Sequence, residues 1–217
     1  MIWIILSLVL FGFALYKSHP AEYIKQPLLT LALSCVALIA FAWNLKATLP
    51  GQGVQTLIGF SFHFFGASLM VAMLGIWRAM TLLFCVAFLS GFLIGGDAFE
   101  ASRNYILIGI LPATVSASII YLIKKFMPKH LFVLILGTGY VAGFASVFVS
   151  AGLIFFAQQF LMQPPLTLLD PLGWFLGVII LSFMEGSLSG MLLAIFLVYR
   201  PDWVFTYNES AYVGTSI

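Results

Sequence analysis

Gly59-Phe60-Ser61-Phe62-His63-Phe64-Phe65-Gly66-Ala67-Ser68-Leu69-Met70 runs on through Met73-Leu74-Gly75-Ile76 to Trp77-Arg78. An apolar stretch of this length, free of charge until its arginine, reads as a bilayer-spanning helix, which needs about 20 residues at ~1.5 Å rise to cross a hydrocarbon core of ~30 Å. One imidazole stands inside it. Burying an ionisable ring among phenylalanines costs free energy unless something pairs with it, so His63 is either satisfied by a neighbouring helix or functional.

The rest of the chain repeats the pattern. Of 217 residues, 63% are hydrophobic and only 7% charged, far outside the soluble range, which makes this an integral membrane protein. Seven apolar runs predict an all-α polytopic bundle of about seven transmembrane helices, forming one domain over 1–217. The helices are expected over 2–16, 28–43, 57–76, 79–94, 105–123, 131–160 and 172–199, with a polar-aromatic tail over 200–217. The first run has no Lys or Arg before it and Lys17 and Lys25 after it, the charge order of a retained span and not of a cleaved leader. Pro27 suits the first turn of the second helix, and Pro112 is expected to kink the fifth. In the sixth run Gly137, Gly139, Gly143, Ser146 and Gly152 permit close helix packing.

A net charge of +2 with no basic run gives nucleic acid no electrostatic footprint. Cys35 and Cys85 are isolated in apolar runs, as small buried hydrophobes are. No phosphate-binding loop, H-E-x-x-H or G-x-S-x-G motif occurs, so no enzyme constellation is expected, and uphill transport would draw its energy from a partner.

The basic residues set an orientation. With the Lys124 to His130 loop in the cytoplasm, alternation puts Lys17, Lys25, Arg78, Lys124, Lys125, Lys129 and Arg200 inside and leaves Lys46 and Arg103 outside. That asymmetry predicts an outer amino terminus and a cytoplasmic tail. Asp97, Glu100 and Asp170, read as solvated loop charges, then make the outer mouth mildly acidic.

On this topology His63 lies roughly 9 Å below the outer end of its helix. One helical face is expected to carry His63, Gly66 or Ala67, Met70, and Met73 or Leu74, a nitrogen donor with soft thioethers and small residues. Methionine is also ordinary filler in apolar helices. Asn104 is expected to cap the fifth helix, or to line the same outer vestibule as His63. Glu185 is the one acidic residue inside a span and must be paired, protonated or facing a cavity. Beside Gly186, Ser187, Ser189 and Gly190 it is read as a structural intramembrane residue whose hydrogen bonds lock the seventh helix to a neighbour.

Three landmarks carry a family resemblance. Phe62-His63-Phe64-Phe65-Gly66-Ala67-Ser68-Leu69 resembles the glycine-serine-glycine-histidine-leucine-leucine-glycine-alanine segment of the permease subunit of cobalt/nickel energy-coupling factor (ECF) transporters, the CbiM/NikM-like family. Asn104 stands ahead of Leu111-Pro112, and Met184-Glu185-Gly186-Ser187-Leu188-Ser189-Gly190 leads to Tyr199-Arg200-Pro201-Asp202-Trp203-Val204, which is most similar to the shorter bacterial branch of predicted permeases. The resemblance covers about residues 57–212. It implies a multi-pass permease of the bacterial inner membrane that works with a transmembrane coupling subunit and cytosolic ATPases. It also implies a metal-ligand role for His63 and a transition-metal ion as substrate, with no intrinsic cofactor. One departure matters: metal-binding members begin Met-His-Ile-Pro-Asp-Gly, whose amino terminus and histidine supply most of a square-planar nitrogen site, whereas this chain begins Met1-Ile2-Trp3-Ile4. His63 then has Asn104, Ser61 and Met70 as its companions, a set weaker for nickel or inclined to a softer ion. The alternative reading is a non-transporting membrane subunit or assembly factor of another complex.

Overall fold

The structure is a computed structural model that describes residues 1–19, 21, 23, 28–44, 66–93, 95–160, 171–208 and 212, without the side chains of 158–160 and 171–174. His63, Ser61, Lys25, Lys46 and Asp170 lie outside the described residues. Those described fold into seven helices and no strand: α1 (Ile2–Lys17), α2 (Leu28–Trp43), α3 (Ala67–Leu74), α4 (Ile76–Leu93), α5 (Ala98–Phe126), α6 (131–160) and α7 (Pro171–Tyr199). Within α4 to α7 lie four stretches long and apolar enough to cross a membrane, while α1 and α2 are shorter apolar helices. In lipid every backbone N–H and C=O must be paired within the segment, and helices achieve this.

Two of the expected helices differ in kind. The run over 57–76 is, in its described part, the eight-residue α3, because Gly66 (φ 90°) and Gly75 (φ 83°) both sit at positive φ and end it on either side. Glycine is the residue that reaches that region without steric cost. The fifth helix starts earlier than expected, at Ala98, where the Asp97 side chain accepts the Glu100 N–H at 2.7 Å. Asp97 is therefore the cap and Asn104 is not; Asn104 continues the helix at φ −63° and makes no capping bond. Pro112 lacks an N–H and its ring crowds the carbonyl four residues back. The chain meets this with a π-helical stretch, Tyr105–Ile110, directly before it, one of the local adjustments by which spans accommodate proline.

Contacts between helix ends give each helix a direction. Ser7 in the first half of α1 donates to Ser102 of α5, while Phe13 meets Trp77 edge-on at the start of α4. Asn44 after α2 accepts from Ser90 near the end of α4. Arg78 lies over the Phe205 ring, and Lys124 donates to the Thr206 carbonyl. Lys17, Arg78, Lys124, Lys125, Lys129 and Arg200 thus gather at one end of the bundle, the basic end. Arg103 stands at the opposite end with Asp97 and Glu100.

The closest helix pair is α6 with α7. A Cβ on Gly139 would stand 2.7 Å from Gly190 Cα, and one on Gly143 would stand 3.0 Å from Gly186 Cα. Two glycines four residues apart on each helix let the backbones touch, the packing that small residues permit where lipid offers no hydrophobic drive to association.

Candidate functional site

Glu185 is the central residue of α7 and is 1% exposed. Its carboxylate accepts the Gly66 N–H on both oxygens, at 3.2 and 3.1 Å. It also accepts the Ser68 hydroxyl and, at 3.2 Å, the Ser189 hydroxyl, and the two serine hydroxyls are 2.9 Å apart. Because α3 spans only about 12 Å before Gly75 reverses the chain into α4, its amino terminus ends deep inside the bundle. The first N–H groups of a helix have no partner in the helix, and its dipole leaves partial positive charge there. Glu185 supplies an acceptor at this end. The two crossing glycine pairs bring α7 close enough for this to occur, since Gly186 directly follows the carboxylate.

The other end of α3 is closed by the tail. Its last carbonyls are orphaned at Gly75. Thr206 Oγ1 donates to Ala72 O and the Thr206 N–H donates to Met73 O at 3.3 Å. α3 is therefore held at its inner end by α7 and at the basic end by the segment after Arg200. Met70 and Met73, both 1% exposed, face the core between α3 and its neighbours α4, α5 and α7.

Of the residues expected around the metal, Met70 and Asn104 are described, whereas His63 and Ser61 lie outside the described residues. Gly66, at a left-handed φ of 90°, ends α3 on its amino-terminal side. Met70 lies one turn from Gly66 toward the basic end, while Asn104 lies in the first turns of α5 near the opposite end. Among the described residues no three His, Cys, Asp or Glu side chains come together as a metal set. Met1 is exposed, and α1 packs on α4 and α5.

Sequence reasoning isolated Glu185 but not its partners. Gly66 and Ser68 are 119 and 117 residues away, and the signal available was that the two glycine-serine segments singled out for their resemblance are the ones that meet. Thr206 gave no comparable signal.

A model of the family described as CbiM, cobalt uptake substrate-specific transmembrane region, matches residues 1–203. The chain belongs to the CbiM family. The CbiM match takes in all seven helices and both segments of the Glu185 contact, and leaves out only the tail beyond Trp203. Membership makes this a multi-pass membrane protein of a cobalt-uptake family, a family of transport components and not of enzymes, for which a metal ion is cargo. No curated protein and no solved structure matches the chain.

Proposed function

We propose that this protein is the substrate-binding permease subunit of an ECF-type transporter in a bacterial inner membrane, and that it admits a cobalt- or nickel-like cation from the side opposite the basic end. The observation that carries this is the family match over residues 1–203. A chain with no nucleotide-binding motif of its own would take its energy from cytosolic ATPases through a transmembrane coupling subunit. Glu185 accepts the N–H of Gly66, three residues after His63 in sequence, and the Ser68 hydroxyl, which supports reading α3 as the anchor of the segment that carries the expected metal ligand. In this reading Glu185 positions backbone, and His63 meets the metal. Neutral imidazole is the ligand form, so metal binding should fade as acid protonates the ring.

The test is titration of the purified protein with cobalt, nickel and copper(I), beside uptake of radioactive cobalt by cells expressing it with its coupling subunit and ATPases. Saturable binding lost in His63→Ala, with uptake above background, is expected. Absence of binding for every metal in a well-folded parent would favour a non-transporting subunit of another membrane complex.

A further inference from the structure

A cavity of about 180 Å³ opens at the basic end, under the tail and between the last turn of α5 and the first turns of α6. Its volume is well above the ~10–15 Å³ that one water needs. Lys124 and Lys129 line it together with Tyr212, and Ile123, Met127 and Val133 form its apolar wall. Among the described residues Lys124 donates to a neutral acceptor, the Thr206 carbonyl, at 3.2 Å. No described acidic side chain lines the cavity. Glu209, the nearest acidic residue in sequence to both Thr206 and Tyr212, lies outside the described residues.

The surroundings point to the kind of anion. Tyr121, Leu122, Phe126, Met127 and Phe132 are all strongly exposed beside the cavity, a surface suited to lipid chains and not to water. Lys125, with its ammonium 5.3 Å from the Phe126 ring centroid, adds a third positive charge where this apolar surface ends. Two ammonium groups in a concave site between helix ends, with an apolar surface on the membrane side, match the headgroup and chains of an anionic lipid. A soluble acidic partner would need no such apolar border. We propose that this cavity binds the phosphate headgroup of an anionic phospholipid in the leaflet at the basic end of the bundle. The site is independent of the transport reading, since it uses none of the residues that bear on the cargo.

The test uses the full chain in phosphatidylcholine nanodiscs doped with cardiolipin or phosphatidylglycerol, with retained lipid counted by native mass spectrometry. The parent should hold anionic lipid in preference to phosphatidylcholine. The double variant Lys124→Gln/Lys129→Gln should weaken that binding on the order of ten-fold or more, Lys124→Arg/Lys129→Arg should keep it, and Lys17→Gln at the same end should leave it unchanged. Lys129→Gln alone spares the Lys124 to Thr206 bond and serves if the double variant does not fold. Equal retention by parent and Gln variants would overturn the proposal. So would displacement of the lipid by millimolar inorganic phosphate, which would make this a free-phosphate site. Unchanged lipid binding with loss of co-purifying cytosolic subunits would assign the lysines to a protein partner instead.

Discussion

A carboxylate at the centre of α7 with three donors aimed at it separates charge from hydrogen bonding when it is replaced. Glu185→Gln keeps one carbonyl oxygen for the Gly66 N–H, and the serine hydroxyls can turn to accept from the new amide, as hydroxyls both donate and accept. Glu185→Leu leaves the Gly66 N–H and one of the two serine hydroxyls without an acceptor in a site that is 1% exposed, since the serines can still bond to each other. An orphaned buried donor costs about 1–3 kcal/mol. Thermal unfolding of the purified variants should therefore rank parent first, Gln close behind and Leu clearly lower, with the Gln variant keeping most of its affinity for the cargo. A folded Glu185→Gln protein that bound nothing would bring this residue into direct contact with the ligand. The need for a partner was legible from the sequence, because a mid-span carboxylate demands one. Which partner was not, since the contact joins positions 119 apart and follows from a break at Gly66 that hydrophobicity does not mark.

The helices were readable to different depths, and the reason is local. α2 begins and ends where composition changes, at Leu28 after proline and at Trp43 before a polar loop, and its observed bounds match those expected. The start of α5 was missed because Glu100 and Arg103 look like loop charges, although they lie on the first turns of a helix that Asp97 caps. The breaks that bound α3 are not marked by hydrophobicity, because Phe64 to Ile76 is apolar but for Ser68, and only glycine's access to positive φ distinguishes a break from a packing site. Of the glycines of α6 expected to permit close packing, Gly137, Gly139 and Gly143 do so and Gly152, with nothing within 4 Å of its Cβ position, does not; the contact with α7 can be tested on the partner helix. A Cβ at Gly186 would stand 2.8 Å from Tyr140 O, a backbone atom that cannot step aside. Gly186→Ala should therefore push α6 and α7 apart and cost about 1–3 kcal/mol of stability, the usual range for overpacking. Gly12 of α1 has nothing within 4 Å of its Cβ position, so Gly12→Ala should be neutral or stabilising by up to about 1 kcal/mol through helix propensity. Chemical unfolding of the two variants side by side checks the contrast, and equal stability would mean that the close crossing is not maintained in the membrane.

At the scale of the whole molecule the decisive asymmetry is charge. The contacts that direct the helices collect Lys17, Arg78, Lys124, Lys125, Lys129 and Arg200 at one end and leave Arg103 at the other with Asp97 and Glu100. Lysine and arginine near span ends are retained on the cytoplasmic side, so the basic end should face the cytoplasm and the amino terminus of α1 should face out. The acidic end then meets arriving cations first, a weak attraction that ordinary salt screens beyond a Debye length of about 8 Å. Cysteine labelling on intact cells tests this directly, after Cys35 and Cys85 are changed to alanine to remove background. Glu100→Cys, exposed at the acidic end, should react with a membrane-impermeant maleimide added outside, whereas Lys125→Cys should react only after the cells are permeabilised. Outside labelling of Lys125→Cys would invert the molecule. It would set the basic cavity in the outer leaflet and the acidic mouth in the cytoplasm, and an uptake permease entered from the acidic end would no longer be tenable.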